Sequence, residues 1–484
     1  MSAATLSANA QAAPRAKADE APLSVRLQAG WAVGSAGSTT ILYIVNALFL
    51  YFMVAHLGIA PAVAGSLMLL ARAYDGIADL LIGNASDRTR SRWGRRRPWM
   101  ALGAVLGGVG LGALFLPPLF ASEKATSAQI LVELAVLFTG YSAFAIPASA
   151  MASEMTTSYE GRTTLMAWRT FFIQAAGLVG ASAAPALVAL GHGSSHAYLT
   201  MGLVMAAFVT ATMGATAALT YGARETMPEA QVATPARPTM KDRLAALSSI
   251  AGNRPFLALL GVKLCGYLAT ASQGAAGLFF MRDVAGRGEG GMARFALLSA
   301  VTGMVCVPLW RRIARGGAKE RICIVALALT GLNGLSWYVC SPAEPAILFD
   351  LRGIMAGFAT TGGLMMTLAM LPDAIEHDYH RTGLRREGVY AALFEFFQKA
   401  AFAIAPFLVG ILMSLAGYRA SVGGAVVQSA AAVGAVRLSM SVLPACTYVA
   451  SISILLFFYR LPARPQAPAT DAPAKGAAAK GAAA

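Results

Sequence analysis

The chain has 484 residues, of which 57% are hydrophobic and only 13% are charged, and its mean hydropathy is +0.60. This composition excludes an ordinary soluble globular protein and indicates a membrane protein with many spans. The net charge of +15 does not indicate nucleic-acid binding, because the basic residues are spread over short loops between apolar segments.

Twelve segments are long and apolar enough to be transmembrane helices, each of which needs about 20 residues. They lie at 30–56, 61–85, 98–121, 127–152, 164–190, 196–221, 255–282, 291–311, 320–340, 343–370, 388–416 and 436–460. The longest internal polar stretch divides them six and six, and arginine-rich loops follow spans 2 and 8 at the same place in each half. The sequence therefore predicts an all-α polytopic membrane protein in two six-helix bundles.

The predicted boundaries follow from this division. They are a disordered cytoplasmic tail at 1–26, an N-terminal bundle at 27–221, a cytoplasmic linker at 222–254, a C-terminal bundle at 255–462 and a disordered cytoplasmic tail at 463–484. Lys and Arg concentrate in alternate loops, which predicts that both termini are cytoplasmic. The first 24 residues contain no apolar run before a cleavage-like site, so we expect no removable signal peptide.

Span 2 carries three charges inside an otherwise apolar segment. Arg72, Asp75 and Asp79 are spaced three and four residues apart, so they project from one face of a helix. That face is expected to look into the protein, because a charge facing lipid costs several kcal/mol. Two neighbouring carboxylates can hold Na⁺ or share a proton. The alternative is a structural pair of Arg72 with Asp75, with Asp79 merely hydrated.

Spans 5 and 11 carry further charges. Arg169 lies in span 5, and Lys399 lies in span 11 with Glu395 four residues before it. This spacing favours an internal Glu395–Lys399 pair. Arg169 and Lys399 either neutralise the span 2 carboxylates or contact a substrate directly, and the sequence does not decide between these roles.

For a few other polar residues the sequence gives less support for a functional role. His377 and His380 lie among acidic residues, and a solvated loop between spans 10 and 11 is favoured there over a metal site. Lys263 and Arg352 are interpreted as paired or as extending toward span ends. The five cysteines have no ligand-like spacing and are interpreted as packing residues.

Several long motifs resemble one family in the same order along the chain. The stretch GNASDRTRSRWGRRRPWM, the preceding YDGIADLLIG, AWRTFF on span 5 and MLPDAIEHDYHRTGLRREGVYAALFEFFQKAA before and within span 11 resemble the glycoside, pentoside and hexuronide cation symporters. This is the melibiose permease family within the major facilitator superfamily. The resemblance covers nearly the entire hydrophobic part of the chain.

The resemblance implies a twelve-helix fold with a central cavity and alternating access. It implies that Asp75 and Asp79 serve the coupling cation, and that Arg169 and Lys399 link the cation site to the sugar site. The residues of the loop after span 2 would latch the two bundles in the outward-facing state; they are Asp87, Arg88, Arg95 and Arg96.

The sequence also departs from the family pattern. The helix 1 aspartate that binds galactoside in the family falls at Thr39, and the helix 4 cation-site carboxylate falls at Ala145, with Tyr141 and Ser142 nearby as oxygen donors. Galactoside specificity is therefore not expected, and proton coupling is at least as well supported as Na⁺ coupling. Glu395 is an additional carboxylate, which either binds substrate hydroxyls or balances a charge.

We interpret the chain as a secondary transporter for cation-coupled symport of a glycoside or small sugar derivative, not an enzyme. No phosphate-binding P-loop is present, which disfavours ATP-driven transport. We expect no cofactor beyond the coupling H⁺ or Na⁺, no metal site beyond one for Na⁺, and a monomer in the bacterial inner membrane whose partners are a small molecule and lipid. The alternatives are an amphipathic substrate such as a lysolipid, or a receptor or scaffold that does not transport, which the retained span 2 charges argue against.

Overall fold

The computed structural model describes residues 23–156, 158–223, 250–315, 318–384, 386–423 and 426–459. Twelve helices organise this part of the chain. In the first half they are α1 (Val25–Ala55), α2 (Pro61–Arg88), α3 (Arg97–Ala113), α4 (Glu123–Met155), α5 (Glu160–Leu190) and α6 (Ser195–Leu219). In the second half they are α7 (Arg254–Asp283), α8 (Gly288–Arg315), α9 (Lys319–Val339), α10 (Ala346–Thr382), α11 (Glu387–Leu415) and α12 (Ala430–Phe458).

Ten of these twelve helices are by themselves long and apolar enough to cross a membrane. The other two are α2, which is 28 residues long but carries Arg72, Asp75 and Asp79, and α3, which has only 17 residues. Both pack inside the N-terminal bundle, where α3 contacts α4 and α6 and α2 contacts α4. The twelve predicted spans are therefore all helical, in two six-helix bundles.

Polar caps mark where several helices begin. Each cap side chain accepts a hydrogen bond from the backbone N–H three residues later, which satisfies one of the free amides of the first turn. The capping residues are Ser122 before α4, Ser158 before the α5 segment, Ser194 before α6, Asn253 before α7 and Ser429 before α12. These caps place polar residues at the ends of the loops that connect the apolar helices.

Two boundaries differ most from the sequence prediction. Helix α3 ends at Ala113, well before residue 121, because the Pro117–Pro118 pair cannot continue a helix. Helix α10 extends to Thr382, and Gly383 ends it in a left-handed conformation with φ of 68°. The residues from 371 to 382 are thus helical, and the predicted solvated loop containing His377 and His380 is wrong.

The two bundles meet along three helix pairs, α2 with α11, α1 with α7 and α5 with α8. We call the side with the short loops at 56–60, 191–194, 284–287 and 416–423 the hairpin face. The side where the described chain begins and ends is the terminal face. Most of the predicted tail 1–26, linker 222–254 and tail 463–484 falls outside the described residues, so those boundaries stay predictions.

Contacts between the bundles concentrate at the hairpin face. Ser421 donates from its backbone N–H to the carbonyl of Val54 at 3.0 Å and from its hydroxyl to the carbonyl of Ala55 at 3.0 Å. Tyr198 of α6 donates to Glu289 of α8 at 3.2 Å. These bonds hold the hairpin face closed.

Helices α2 and α11 approach each other near this face almost backbone to backbone. A Cβ atom added at Gly410 would lie 2.3 Å from the carbonyl oxygen of Pro61, and one added at Gly65 would lie 2.8 Å from that of Pro406. Only glycine fits at such distances, since it has no side chain to hold the helices apart.

His56 lies in the closed hairpin face, just after α1. It is only 4% exposed, and its Nδ1 lies 3.1 Å from the hydroxyl oxygen of Ser195. The centre of its ring lies 4.7 Å from the ring centre of Tyr198 and 5.5 Å from that of Phe52. Burial, together with the nearby Arg282 cation, lowers the pKa of His56 to about 4. The imidazole is therefore neutral in the folded protein at neutral pH.

This shift predicts a pH-dependent contribution of His56 to stability. Because the folded pKa lies below the unfolded value of 6.5, the contribution is fully present above pH 6.5 and is lost as the pH falls from 6.5 toward 4. We expect His56→Gln to flatten this part of the dependence of the thermal melting midpoint on pH. The exposed His196→Gln is the matched control, and an unchanged profile in His56→Gln would contradict the assignment.

Candidate functional site

A cluster of charges lies where α2, α4 and α11 meet. The side chain of Asp75 is fully buried, and its Oδ2 lies 3.2 Å from the Nζ of Lys399, which also binds Oδ2 of Asp79. Ser142 of α4 lies 2.7 Å from Oδ1 of Asp79 and 3.2 Å from Oδ1 of Asp75. The structure thus brings together the two carboxylates, the hydroxyl and the ammonium group that the sequence singled out.

Arg72 lies beside Asp75, about one turn earlier on α2. Its Nη1 is 3.9 Å from Oδ2 of Asp75, its Nη2 donates to Oδ1 of Asn46 at 3.1 Å, and its guanidinium carbon lies 4.6 Å from the ring centre of Phe138. Its side chain is 7% exposed. The closest ion pair of Asp75 is therefore with Lys399, and Arg72 is held mainly by other groups.

Sequence reasoning missed Asn46. It lies on the Val45–Phe49 segment of α1, which is wound as a π-helix, an irregularity that is frequent at functional sites. The available signal was a lone amide in the apolar run ILYIVNALFLYF. Buried amides are rarely left without a partner, so such a residue marks a polar contact.

The cluster contains the groups that a cation site needs. Two carboxylates and a hydroxyl direct oxygens at one region, and the ammonium of Lys399 lies against these carboxylate oxygens. Charges attract one another more strongly in a buried site than in water. Protonation of either carboxylate, or binding of a cation beside it, would weaken the attraction for Lys399 and loosen the link between α2 and α11.

Glu395 does not pair with Lys399, so the predicted internal pair is wrong. Its Oε1 lies 3.2 Å from the Nζ of Lys263 on α7, while Lys399 points across the bundle interface to α2. Residues four apart on a helix are neighbours, but partners on adjacent helices compete for each of them. Lys263 is confirmed as a paired residue, as is Arg352, which binds Glu344.

Two charged side chains at the cluster are exposed. The Lys399 side chain is 40% exposed although it forms ion pairs across the interface, and the Glu395 side chain, one turn away on the same helix, is 68% exposed. Charged groups facing lipid are costly, so we infer that these side chains face a water-accessible space between the bundles, which we call the chamber.

Three other predicted residues lie outside the ion-pair cluster. Thr39 on α1 and Arg169 on α5 are both partly buried, and neither side chain makes a hydrogen bond or ion pair with a described residue. Tyr141 on α4 is also partly buried, and its ring centre lies 5.9 Å from the Nζ of Lys399. The structure therefore places Tyr141 beside the cluster and joins neither Thr39 nor Arg169 to it.

The predicted latch residues at the terminal face bind within the N-terminal bundle. Arg96 forms ion pairs with Asp87 at 2.6 Å and with Glu154 at 3.0 Å, and Arg95 binds Glu154 at 2.5 Å. Arg88 is exposed and forms no ion pair with a described residue. Glu154, at the end of α4, was missed by the sequence reasoning. These ion pairs tie the loop after α2 to α4, so no latch between the bundles appears in them.

Two six-helix bundles, closed at one face and linked by ion pairs across their interface, have the architecture of a major facilitator transporter. The sequence model of the family described as MFS/sugar transport protein matches residues 30–463, and the chain belongs to this family. It is an integral membrane transporter and not an enzyme.

Similar proteins agree with this membership. An uncharacterised symporter of Synechocystis sp. is 26% identical over 88% of this chain and 93% of its own length. A putative glycoside/cation symporter of Escherichia coli (strain K12) is 27% identical over 91% of this chain and 92% of its own length. The crystal structure of the nucleoside transporter NupG is similar in fold, with a TM-score of 0.58 at 15% identity over 90% of this chain and all of its own.

The charge cluster makes a prediction about stability. Lys399→Met leaves Asp75 and Asp79 without their closest cation, which we expect to cost about 1–3 kcal/mol, less than for a fully buried pair because the Lys399 side chain is 40% exposed, and to lower the thermal melting midpoint. Adding Asp79→Asn to Lys399→Met removes the excess negative charge and should restore much of the loss. Lys319→Met, which breaks the exposed pair with Asp373, is the matched control and should change little. Additive losses in the double variant would contradict the cluster.

Proposed function

We propose that this chain carries out cation-coupled symport of a glycoside or other small sugar derivative by alternating access. The observation that supports this most directly is the pairing of Lys399 on α11 with Asp75 and Asp79 on α2, because it joins the two bundles through charges that a cation can replace. The proposal that the substrate is a sugar is supported by the description of the family and by the similarity to the putative glycoside/cation symporter.

The coupling step follows from electrostatics. A proton or Na⁺ that reaches Asp75 and Asp79 competes with the ammonium of Lys399 for the same oxygens. Displaced Lys399 releases α2 from α11, and the bundles become free to rock against each other. A cation without substrate would leave Lys399 without a partner in the chamber, so movement with both ligands bound is favoured.

Which side of the membrane the closed face lies on depends on how the chain is oriented in the membrane. The distribution of Lys and Arg predicts cytoplasmic termini, which makes the terminal face cytoplasmic and the closed hairpin face external. The described arrangement is then closed to the outside. In the opposite state, Arg88, Arg95 and Arg96 with Asp87 would exchange their partners for groups on the C-terminal bundle and close the terminal face.

The first test is uptake of labelled glycosides into cells that express the protein, with pH and Na⁺ gradients imposed separately. We expect one gradient to drive accumulation, and that gradient identifies the coupling ion. Cells carrying the vector alone give the background. If the protein is inserted in the membrane and accumulates no glycoside under either gradient, the proposed sugar class is wrong.

The second test addresses the cation site. Asp79→Asn keeps the shape of the side chain but removes the charge that attracts the cation, so accumulation should be abolished while exchange of substrate between the two sides persists. Asp350→Asn, at an ion pair with Arg294 that lies outside the charge cluster, is the matched control and should accumulate normally. Full accumulation by Asp79→Asn would remove Asp79 from the coupling site.

A further inference from the structure

Glu395 and Lys263 form a second ion pair whose two members are very differently exposed. The Lys263 side chain is 2% exposed and the Glu395 side chain 68%, and their atoms meet at 3.2 Å. The ammonium of Lys263 also lies 3.8 Å from the ring centre of Phe394 and 5.4 Å from that of Tyr267. The lysine is thus an anchor enclosed by aromatic rings, and the carboxylate is the accessible end of the pair.

The face of α11 that carries Glu395 looks toward the bundle interface. Glu395 precedes Lys399 by four residues, so the two side chains lie on one side of the helix, and Lys399 reaches across to α2. An ionised carboxylate so largely exposed would be costly against lipid. Its exposure is therefore to the chamber, one helical turn from the cation site.

The ion pair with Lys263 leaves one carboxylate oxygen of Glu395 available. Only Oε1 of Glu395 binds Lys263, and Oε2 has no hydrogen-bond partner among the described residues. Because Lys263 already neutralises the charge, the free oxygen favours a neutral hydrogen-bond donor over a second cation, and since it can only accept, it offers no bond to the carboxylate of an anionic ligand. Sugar hydroxyls are such donors, and the rings of Tyr267 and Phe402, 5.8 Å apart, add the apolar surface that a sugar ring packs on.

We propose that Glu395, fixed in place by Lys263, is the substrate subsite of the C-terminal bundle and accepts hydrogen bonds from hydroxyl groups of an uncharged glycoside. This rests on the proposed symport function and adds to it a residue that determines specificity. The cation site lies on the N-terminal bundle and this subsite on the C-terminal bundle, so substrate and cation bind on opposite sides of the same interface.

The test is equilibrium binding of two probes to the purified full-length protein, 4-nitrophenyl β-D-glucoside and 4-nitrophenyl β-D-glucuronide, which differ only in the group at C6. The wild type should bind the uncharged glucoside more tightly. In Glu395→Gln the Kd for the glucoside should rise about tenfold, because a neutral amide oxygen accepts a weaker hydrogen bond than a carboxylate does. Glu376→Gln, an exposed carboxylate on α10, is the matched control and should leave Kd unchanged.

A second variant separates substrate binding from charge balance. Glu395→Gln alone leaves Lys263 buried without its counter-charge and can lose stability for that reason, whereas Lys263→Met with Glu395→Gln removes both charges. We expect the double variant to regain the wild-type melting midpoint but to keep the raised Kd. Wild-type affinity in the double variant would overturn the subsite, because Glu395 would then serve only to neutralise Lys263.

Failure of the subsite and failure of the transport function give different results. If the wild type binds the glucoside and accumulates it under a gradient while both variants keep wild-type Kd, only the subsite is wrong. If the wild type neither binds nor accumulates either glycoside, the sugar function is wrong and the subsite falls with it.

Discussion

The arrangement depends on one constraint, that the carboxylates of Asp75 and Asp79 cannot stay unpaired within the membrane. Their nearest cation is the ammonium of Lys399, which belongs to the other bundle. As long as it stays there, electrostatic attraction helps to hold α2 against α11. Whatever replaces it must itself be a cation or must neutralise the carboxylates.

Arg72 and Lys399 both lie near Asp75, but they are suited to different roles. The guanidinium of Arg72 is held by Asn46 and by the ring of Phe138, and its side chain is 7% exposed. Lys399 has a flexible stem and is 40% exposed, so it can leave at lower cost. Arg72 is therefore the more firmly held charge beside Asp75, and in the proposed mechanism Lys399 is the group that exchanges.

Much of this site could be predicted from the sequence, because helix periodicity alone places Arg72, Asp75 and Asp79 on one face and the cost of burying charge directs that face inward. The partner of Glu395 could not, since spacing along α11 suggests Lys399 and carries no information about Lys263 on α7. Asn46 and Glu154 were missed for the same reason. Each is a single polar residue whose partner is distant in the sequence, and only the packing of helices reveals it.

In the proposed mechanism helix α11 takes part in both cation binding and substrate binding, because two of its side chains, one turn apart, bind different bundles. Lys399 binds the N-terminal bundle through Asp75 and Asp79, and Glu395 binds its own bundle through Lys263. A displaced Lys399 finds Glu395, one turn away, already paired with Lys263, so its ammonium gains no full counter-charge there. In the proposed mechanism a substrate hydroxyl that donates to Glu395 can also accept from the displaced ammonium, and in this way cation and substrate favour each other's binding through two side chains of one helix.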